Sequence, residues 1–246
     1  MKKIYLSLLL AILPMLANAD AVEIGGIYYN LVPKGKVAEV TRNPNKYTGA
    51  IEIPESVEYE GETYAVTGIG VGAFYDCSGL TSLTIPNSVT SIGGSAFWGC
   101  TSLTSINIPN SVTYIEDSAF HGCRSLASVV IPNSVISIGN YAFQSCSSLT
   151  CMVIPNSVAS IGDNAFQQCS SLTSVTIPES VTSIGICAFR DCRSLTSITI
   201  PNSVTTIGRG AFLDCSSMTV TIPFSTYFTF AKDFVPLHPQ NTSNYV

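Results

Sequence analysis

A 23-residue unit that recurs six times without a gap constrains this chain more than anything else in it. The first regular copy, Leu80 to Ser102, reads LTSLTIPNSVTSIGGSAFWGCTS, and the copies run through Ser217. Prolines recur at Pro86, Pro109, Pro132, Pro155, Pro178 and Pro201. Cysteines recur at Cys77, Cys100, Cys123, Cys146, Cys169, Cys192 and Cys215. A fixed period of roughly 20–50 residues marks a stacked array. One unit cannot bury its apolar face alone and must pack on its neighbours. The expected fold class is therefore a repeat solenoid.

The phase of the repeat separates inward from outward positions. Leu80, Leu83 and Ile85 alternate with polar Ser82 and Thr84, which is strand spacing. Pro86-Asn87-Ser88 ends the strand, because proline has no N–H to give and short polar residues favour a turn. Val89 and Ile92 turn inward again, and Ala96, Phe97 and Cys100 complete the coil on a segment predicted to be short helix or 3₁₀. Stacked coils place equivalent residues in ladders. The phenylalanine ladder is Phe74, Phe97, Phe120, Phe143, Phe166, Phe189 and Phe212.

The flanks differ in texture. Residues 1–19 read as an export signal: Lys2 and Lys3, an apolar run from Ile4 to Leu16, then Ala17-Asn18-Ala19, with cleavage after Ala19. That run is too short for a comfortable membrane span, and nothing downstream reaches eighteen apolar residues. Residues 20–79 carry 13 of the 27 charged residues and read as an N-terminal β cap. Ile27 to Val32, Lys36 to Thr41 and Ala50 to Ile53 are expected strands, and Glu60-Gly61 an expected hairpin turn. A degenerate first repeat lies within it, in IPESV from Ile53 and IGVGAFYDC from Ile69. Residues 80–217 are the six repeats. From Met218 the pattern decays, and 218–246 read as an aromatic C-terminal cap with an irregular tail.

The pattern LxxLxIPxSVxxIGxxAFxxC resembles the BspA-like leucine-rich repeat of bacterial surface and secreted proteins. Leu80, Leu83, Ile85, Pro86, Ser88, Val89, Ile92, Gly93, Ala96, Phe97 and Cys100 carry the match in the first copy. The leader and the segment containing GGIYYNLV also resemble that family. The resemblance implies a leucine-rich-repeat horseshoe, β-rich and capped at both ends, and a role in adhesion or protein binding. Two departures stand out: Glu116 replaces the repeat glycine, and Glu179 replaces the Asn of PNS.

Composition and motif spacing argue against chemistry. Only 11% of residues are charged, the net charge is −5, and loss of Lys2 and Lys3 makes it −7. Without a basic stripe, nucleic acid and anionic membrane surfaces are poor partners. There are two histidines, His121 and His238, and carboxylates in the repeats are scattered, at Glu116, Asp117, Asp163, Glu179, Asp191 and Asp214. Neither a catalytic triad nor a glycosidase pair can be assembled from them. Seven cysteines in a line do not converge as metal ligands do, and parallel side chains are badly aimed for disulfides. They read as buried free thiols, with Cys151 and Cys187, off the ladder, as the exposed pair. No enzyme activity, metal or cofactor is expected.

Function should then lie on outward positions. The strand face is flat, uncharged and repetitive, without aromatic anchors. The residue after each ladder phenylalanine differs in nearly every copy: Tyr75, Trp98, His121, Gln144, Gln167, Arg190 and Leu213. Arg124 and Arg193 follow the ladder cysteines. Tyr75, Trp98, His121, Arg124, Gln144, Gln167, Arg190 and Arg193 form the candidate partner-binding ridge, since hot spots favour Trp, Tyr and Arg. The same variation also fits mere tolerance at solvated sites. The leading expectation is a secreted or surface protein that binds an extracellular or host protein. The alternatives are a rigid spacer or assembly module, and a glycan-binding accessory protein.

Overall fold

The computed structural model describes residues 21–215 and 218–221, and the backbone of 229–230. The expected export signal, and most of the expected C-terminal cap, lie outside the described residues. Six strands precede the regular repeats: β1 (Val22–Ile24), β2 (Ile27–Val32), β3 (Val37–Val40), β4 (Gly49–Glu52), β5 (Ser56–Tyr59) and β6 (Glu62–Ile69). Three of them fall where alternation places them. Glu60 and Gly61, both at positive φ, close the β5–β6 hairpin. The first sheet runs β1-β2-β3-β6-β5, with β3 and β6 parallel.

Each coil of the array presents three sides. The first carries β7 (Leu80–Thr84), β9 (Ser105–Asn107), β11 (Ser128–Val130), β13 (Cys151–Val153), β15 (Ser174–Thr176), β17 (Ser197–Thr199) and β19 (Thr219–Thr221). These pair in parallel two by two: β4 with β7, β9 with β11, β13 with β15, β17 with β19. The second carries β8 (Ser91–Ile92), β10 (Tyr114–Ile115), β12 (Ser137–Ile138), β14 (Ser160–Ile161), β16 (Ser183–Ile184), β18 (Thr206–Ile207) and β20 (Thr229–Phe230). Here β8 continues the N-terminal sheet through β6, and an unbroken parallel sheet runs from β10 to β20.

The third side departs from expectation: the Ala-Phe-x-x-Cys segment is a run of tight turns, with no helix or 3₁₀ segment among the described residues. Two positions four apart explain it. Ser95 (φ 55°) and Gly99 (φ 70°) are left-handed, as are Ser118 and Gly122, Tyr141 and Ser145, Asn164 and Gln168, and Cys187 and Asp191. A helix tolerates no such residue in its interior. Backbone donors also alternate. The N–H of Ala96, Trp98 and Cys100 reach back three residues, to Gly93, Ser95 and Phe97. Those of Ser95, Phe97 and Gly99 donate across to Asp117, Ala119 and His121 of the next coil, at 2.8–2.9 Å. Half the donors a helix would need are thus committed between coils.

The inward set is buried as the periodicity requires. From Phe74 to Phe212 the rings stack at 5.0–5.6 Å between centroids and within 13° of parallel. Tyr47 ends this stack on Phe74 at 4.7 Å, and its hydroxyl donates to the Thr41 carbonyl at 2.8 Å. Nothing in the repeat pattern announces Tyr47. All seven ladder cysteines are buried free thiols. Each regular-copy thiol also donates to the ladder phenylalanine carbonyl of the preceding coil, as Cys123 does to Phe97 at 3.1 Å. The position therefore asks for a small apolar side chain with a weak donor, which cysteine supplies. The serine two residues after the repeat proline acts similarly in four coils, where Ser134 donates to the Val112 carbonyl at 2.6 Å and Ser180 to Val158 at 2.7 Å, whereas Ser88 and Ser203 make no such bond.

The repeat glycine is a matter of space. A Cβ on Gly93, Gly139, Gly162, Gly185 or Gly208 would lie 2.4–2.8 Å from backbone of the preceding coil. Glu116 holds this position in the second coil, and the ladder between β8 and β10 is broken there. A side chain at this column keeps the two coils from closing. Gly162→Ala should lower stability by about 1–3 kcal/mol through overpacking, whereas Glu116→Gly should raise the melting temperature despite glycine's backbone entropy. A Glu116→Gly protein that melts at or below the parent temperature contradicts this.

Burial also pushes the ladder thiols up in pKa, to about 11 for Cys77 and Cys215 and about 12 for Cys169. Cys151 is exposed as expected, while Cys187 is only half-exposed, its thiol 3.7 Å from the Arg209 carbonyl. Thiolate is the reactive form, so native labelling at neutral pH should modify Cys151 first and Cys187 more slowly. Labelling of the other seven should require unfolding; equal rates at all nine would refute the buried ladder.

Candidate functional site

The ridge column follows each buried phenylalanine and precedes a left-handed residue. Because inter-coil hydrogen bonds fix the spacing, successive ridge side chains touch. Tyr75 stacks on Trp98 with centroids 5.9 Å apart, and Trp98 on His121 at 3.8 Å. Gln144 adjoins His121 in the column and donates through Nε2 to Oε1 of Gln167 at 2.5 Å. All are half-buried. Five of the eight candidates thus form one continuous line. It is extended by two residues that the repeat pattern did not single out. Arg42 lies 5.2 Å and Lys46 5.6 Å from the Tyr75 ring centroid, in cation–π range. Lys46 Nζ also donates to the Tyr75 carbonyl at 2.8 Å.

The remaining three candidates separate. Arg193 Nη2 donates to Asp191 Oδ1 at 3.0 Å, and Arg190 Nε sits 3.5 Å from Asp191 Oδ2 and 3.8 Å from Asp214. Arg193 is hydrogen-bonded within the chain, whereas Arg190 lies within ion-pair distance of both carboxylates with its Nε making no hydrogen bond. Arg124 is exposed and has no carboxylate partner among the described residues. It borders an open pocket of about 360 Å³ with Trp98, His121, Gly122 and Asp76. Burial lowers the His121 pKa from its usual 6.5, and the neighbouring Gln144 side chain opposes that shift. The His121 Nδ1 is sealed from solvent without a hydrogen-bond partner.

His121 stacks closely on the one indole at 3.8 Å, and Tyr75 is offset against it at 5.9 Å, so little aromatic face is left free. A sugar ring that stacks on an aromatic face finds little of one at Trp98.

The scattered carboxylates prove largely structural. Asp117 Oδ1 accepts the Asn140 N–H at 2.7 Å, Asn140 Oδ1 that of Asp163 at 2.8 Å, and Asp163 Oδ1 that of Ile186 at 2.6 Å. This side-chain ladder satisfies a turn donor in each of three successive coils, one repeat of 23 residues apart. No group of three metal-capable side chains occurs among the described residues. On the strand face, by contrast, Val130 and Val153 are 61% and 68% exposed in neighbouring coils, beside exposed Cys151. No helix among the described residues is long and apolar enough to cross a membrane.

Comparison with curated proteins returned no match. The chain matches the family described as BspA type leucine rich repeat region, in six copies over residues 67–192 and 159–233. Among solved structures it is similar to a leucine-rich repeat protein from Bacteroides ovatus, with 33% identity and a TM-score of 0.76 over 82% of this chain and 53% of that one. A leucine rich cell surface protein from Faecalibacterium prausnitzii shares 34% identity, with a TM-score of 0.70 over 82% and 54%. The leucine-rich repeat protein of T. pallidum shares 35% identity, with a TM-score of 0.71 over 81% and 91%. The chain spans about half the length of the first two. Matched by its repeats and by its coil geometry, the chain belongs to the BspA-type leucine-rich repeat family.

Proposed function

We propose that this protein is exported, cleaved after Ala19, and works at or outside the cell surface by binding a protein of a host or neighbouring cell. Residues 20–79 and 218–246 serve as caps of the array, and residues 80–217 present the binding surface. The relative described as a cell surface protein supports the location. The observation that carries the binding reading is the stacked line Tyr75–Trp98–His121 beside the Arg124 pocket. Side chains already immobilised against one another lose little entropy when a partner arrives, and aromatic and arginine residues are the usual anchors.

A second reading places the contact on the strand face, where Val130 and Val153 are exposed side by side. One experiment separates the two. The chain from Asp20 is screened against extracellular-matrix proteins and glycans, and any protein bound is retested with Trp98→Ala and Val153→Ser. Weakening of about tenfold or more with Trp98→Ala alone is expected. Loss with Val153→Ser alone moves the site to the strand face, and binding to no member of either panel favours a rigid spacer.

A further inference from the structure

Two coils, three repeats apart, can be compared at the ridge residue, the residue after it and the residue after the ladder cysteine. In the later coil Asp191 stands between Arg190 and Arg193, its side chain only 13% exposed. One carboxylate oxygen accepts from Arg193 at 3.0 Å, and the other lies 3.5 Å from Arg190. In the earlier coil the equivalent residues are His121, Gly122 and Arg124. Arg124 stands where Arg193 does and a histidine replaces Arg190, while the carboxylate between them is missing. Arg124 consequently has no acidic partner among the described residues. The space is open, since a Cβ on Gly122 would meet nothing nearer than the Gly99 backbone at 3.9 Å. Pocket and vacancy coincide, for Gly122 lies in the pocket lining with Trp98, His121 and Arg124.

We infer that a carboxylate supplied by a partner lies over Gly122, between His121 and Arg124, in the place that Asp191 fills for its own coil. Resting on the protein-binding reading above, the group is an aspartate or glutamate side chain of the bound protein. Arg124 receives it through charge-assisted hydrogen bonds, which a guanidinium makes in bidentate geometry. Asp76 borders the other end of the pocket, with its carboxylate packed against Gly99. It repels a second anion there and accepts from donors adjoining the first.

The array itself supplies the test. Gly122 has φ 70°, and aspartates occupy the same column at Asp76 (φ 55°), Asp191 (φ 60°) and Asp214 (φ 62°), so Gly122→Asp is sterically compatible with the coil. The probe is N-acetyl-aspartate methylamide, titrated into ¹⁵N-labelled protein against sodium chloride of equal ionic strength. The arginine Nε–Hε signals are followed, and that of Arg124 is assigned with Arg124→Lys. The Arg124 signal should move saturably while those of Arg190 and Arg193 stay still. Gly122→Asp, by filling the space itself, should weaken the response at least tenfold; Gly122→Ser, which copies Ser145, should keep it. An Arg124 shift no larger than with chloride, or one unchanged in Gly122→Asp, overturns the inference. Saturable probe binding in a chain that captures no protein sinks the protein-binding reading and leaves the carboxylate site standing. A captured protein held equally well by Gly122→Asp removes this site from the interface.

Discussion

Everything in this molecule depends on how closely one coil can approach the next. The repeat glycine sets that distance: at Gly162, Gly185 and Gly208 even a methyl group would overlap the backbone before it by an ångström or so. With the gap closed, backbone donors reach across on every side. On the turn side they point to the following coil, as Phe97 does to Ala119; on the second side they point to the preceding one, as Gly162 does to Ile138. The phenylalanine stack, the thiol-to-carbonyl bonds and the serine bonds are further consequences of the same spacing. Each is weak alone but recurs along the array, so stability accumulates as a sum of neighbour interfaces.

The same spacing governs the surface. Ridge side chains sit close enough to touch, so their identities are coupled along the solenoid axis rather than free. Tyr75, Trp98 and His121 are compatible because flat rings stack, and Gln144 and Gln167 because amides pair. Arg190 is compatible with the acidic residues near it. A column of changing residues is thus not a row of independent contacts. Where the coupling is left incomplete, at Gly122 with Arg124, the surface offers an unfilled bond.

Most of the fold was legible because the repeat writes its period seven times over in the cysteines. The inward positions followed from that phase and from strand alternation. The turn side was misread as helical because Ala-Phe-x-x-Cys has helix-like spacing, and nothing at Ser95, Tyr141 or Asn164 advertises a left-handed backbone. The residues of that column share conformation without sharing chemistry. The glycine's role was equally hidden, since its constraint comes from an atom in another coil. Of the site, the ridge column was visible as internal variation. Its division into stacked, ion-paired and unpaired members was not, because pairing runs between residues far apart in sequence, as with Arg42 and Tyr75. The Asp117–Asn140–Asp163 ladder was missed for the same reason.

The central claim is that close coil approach, permitted by glycine, holds the array together, and amide hydrogen exchange at residue resolution tests it most directly. Local opening exposes amides whose inter-coil bonds are weakest. The amides of Gly139, Gly162 and Gly185 donate to the preceding coil and should be among the slowest to exchange. That of Glu116, in the same column where the ladder is broken, should exchange at least about tenfold faster, a difference of roughly 1.4 kcal/mol. Equal protection at Glu116 and Gly162 would contradict the account.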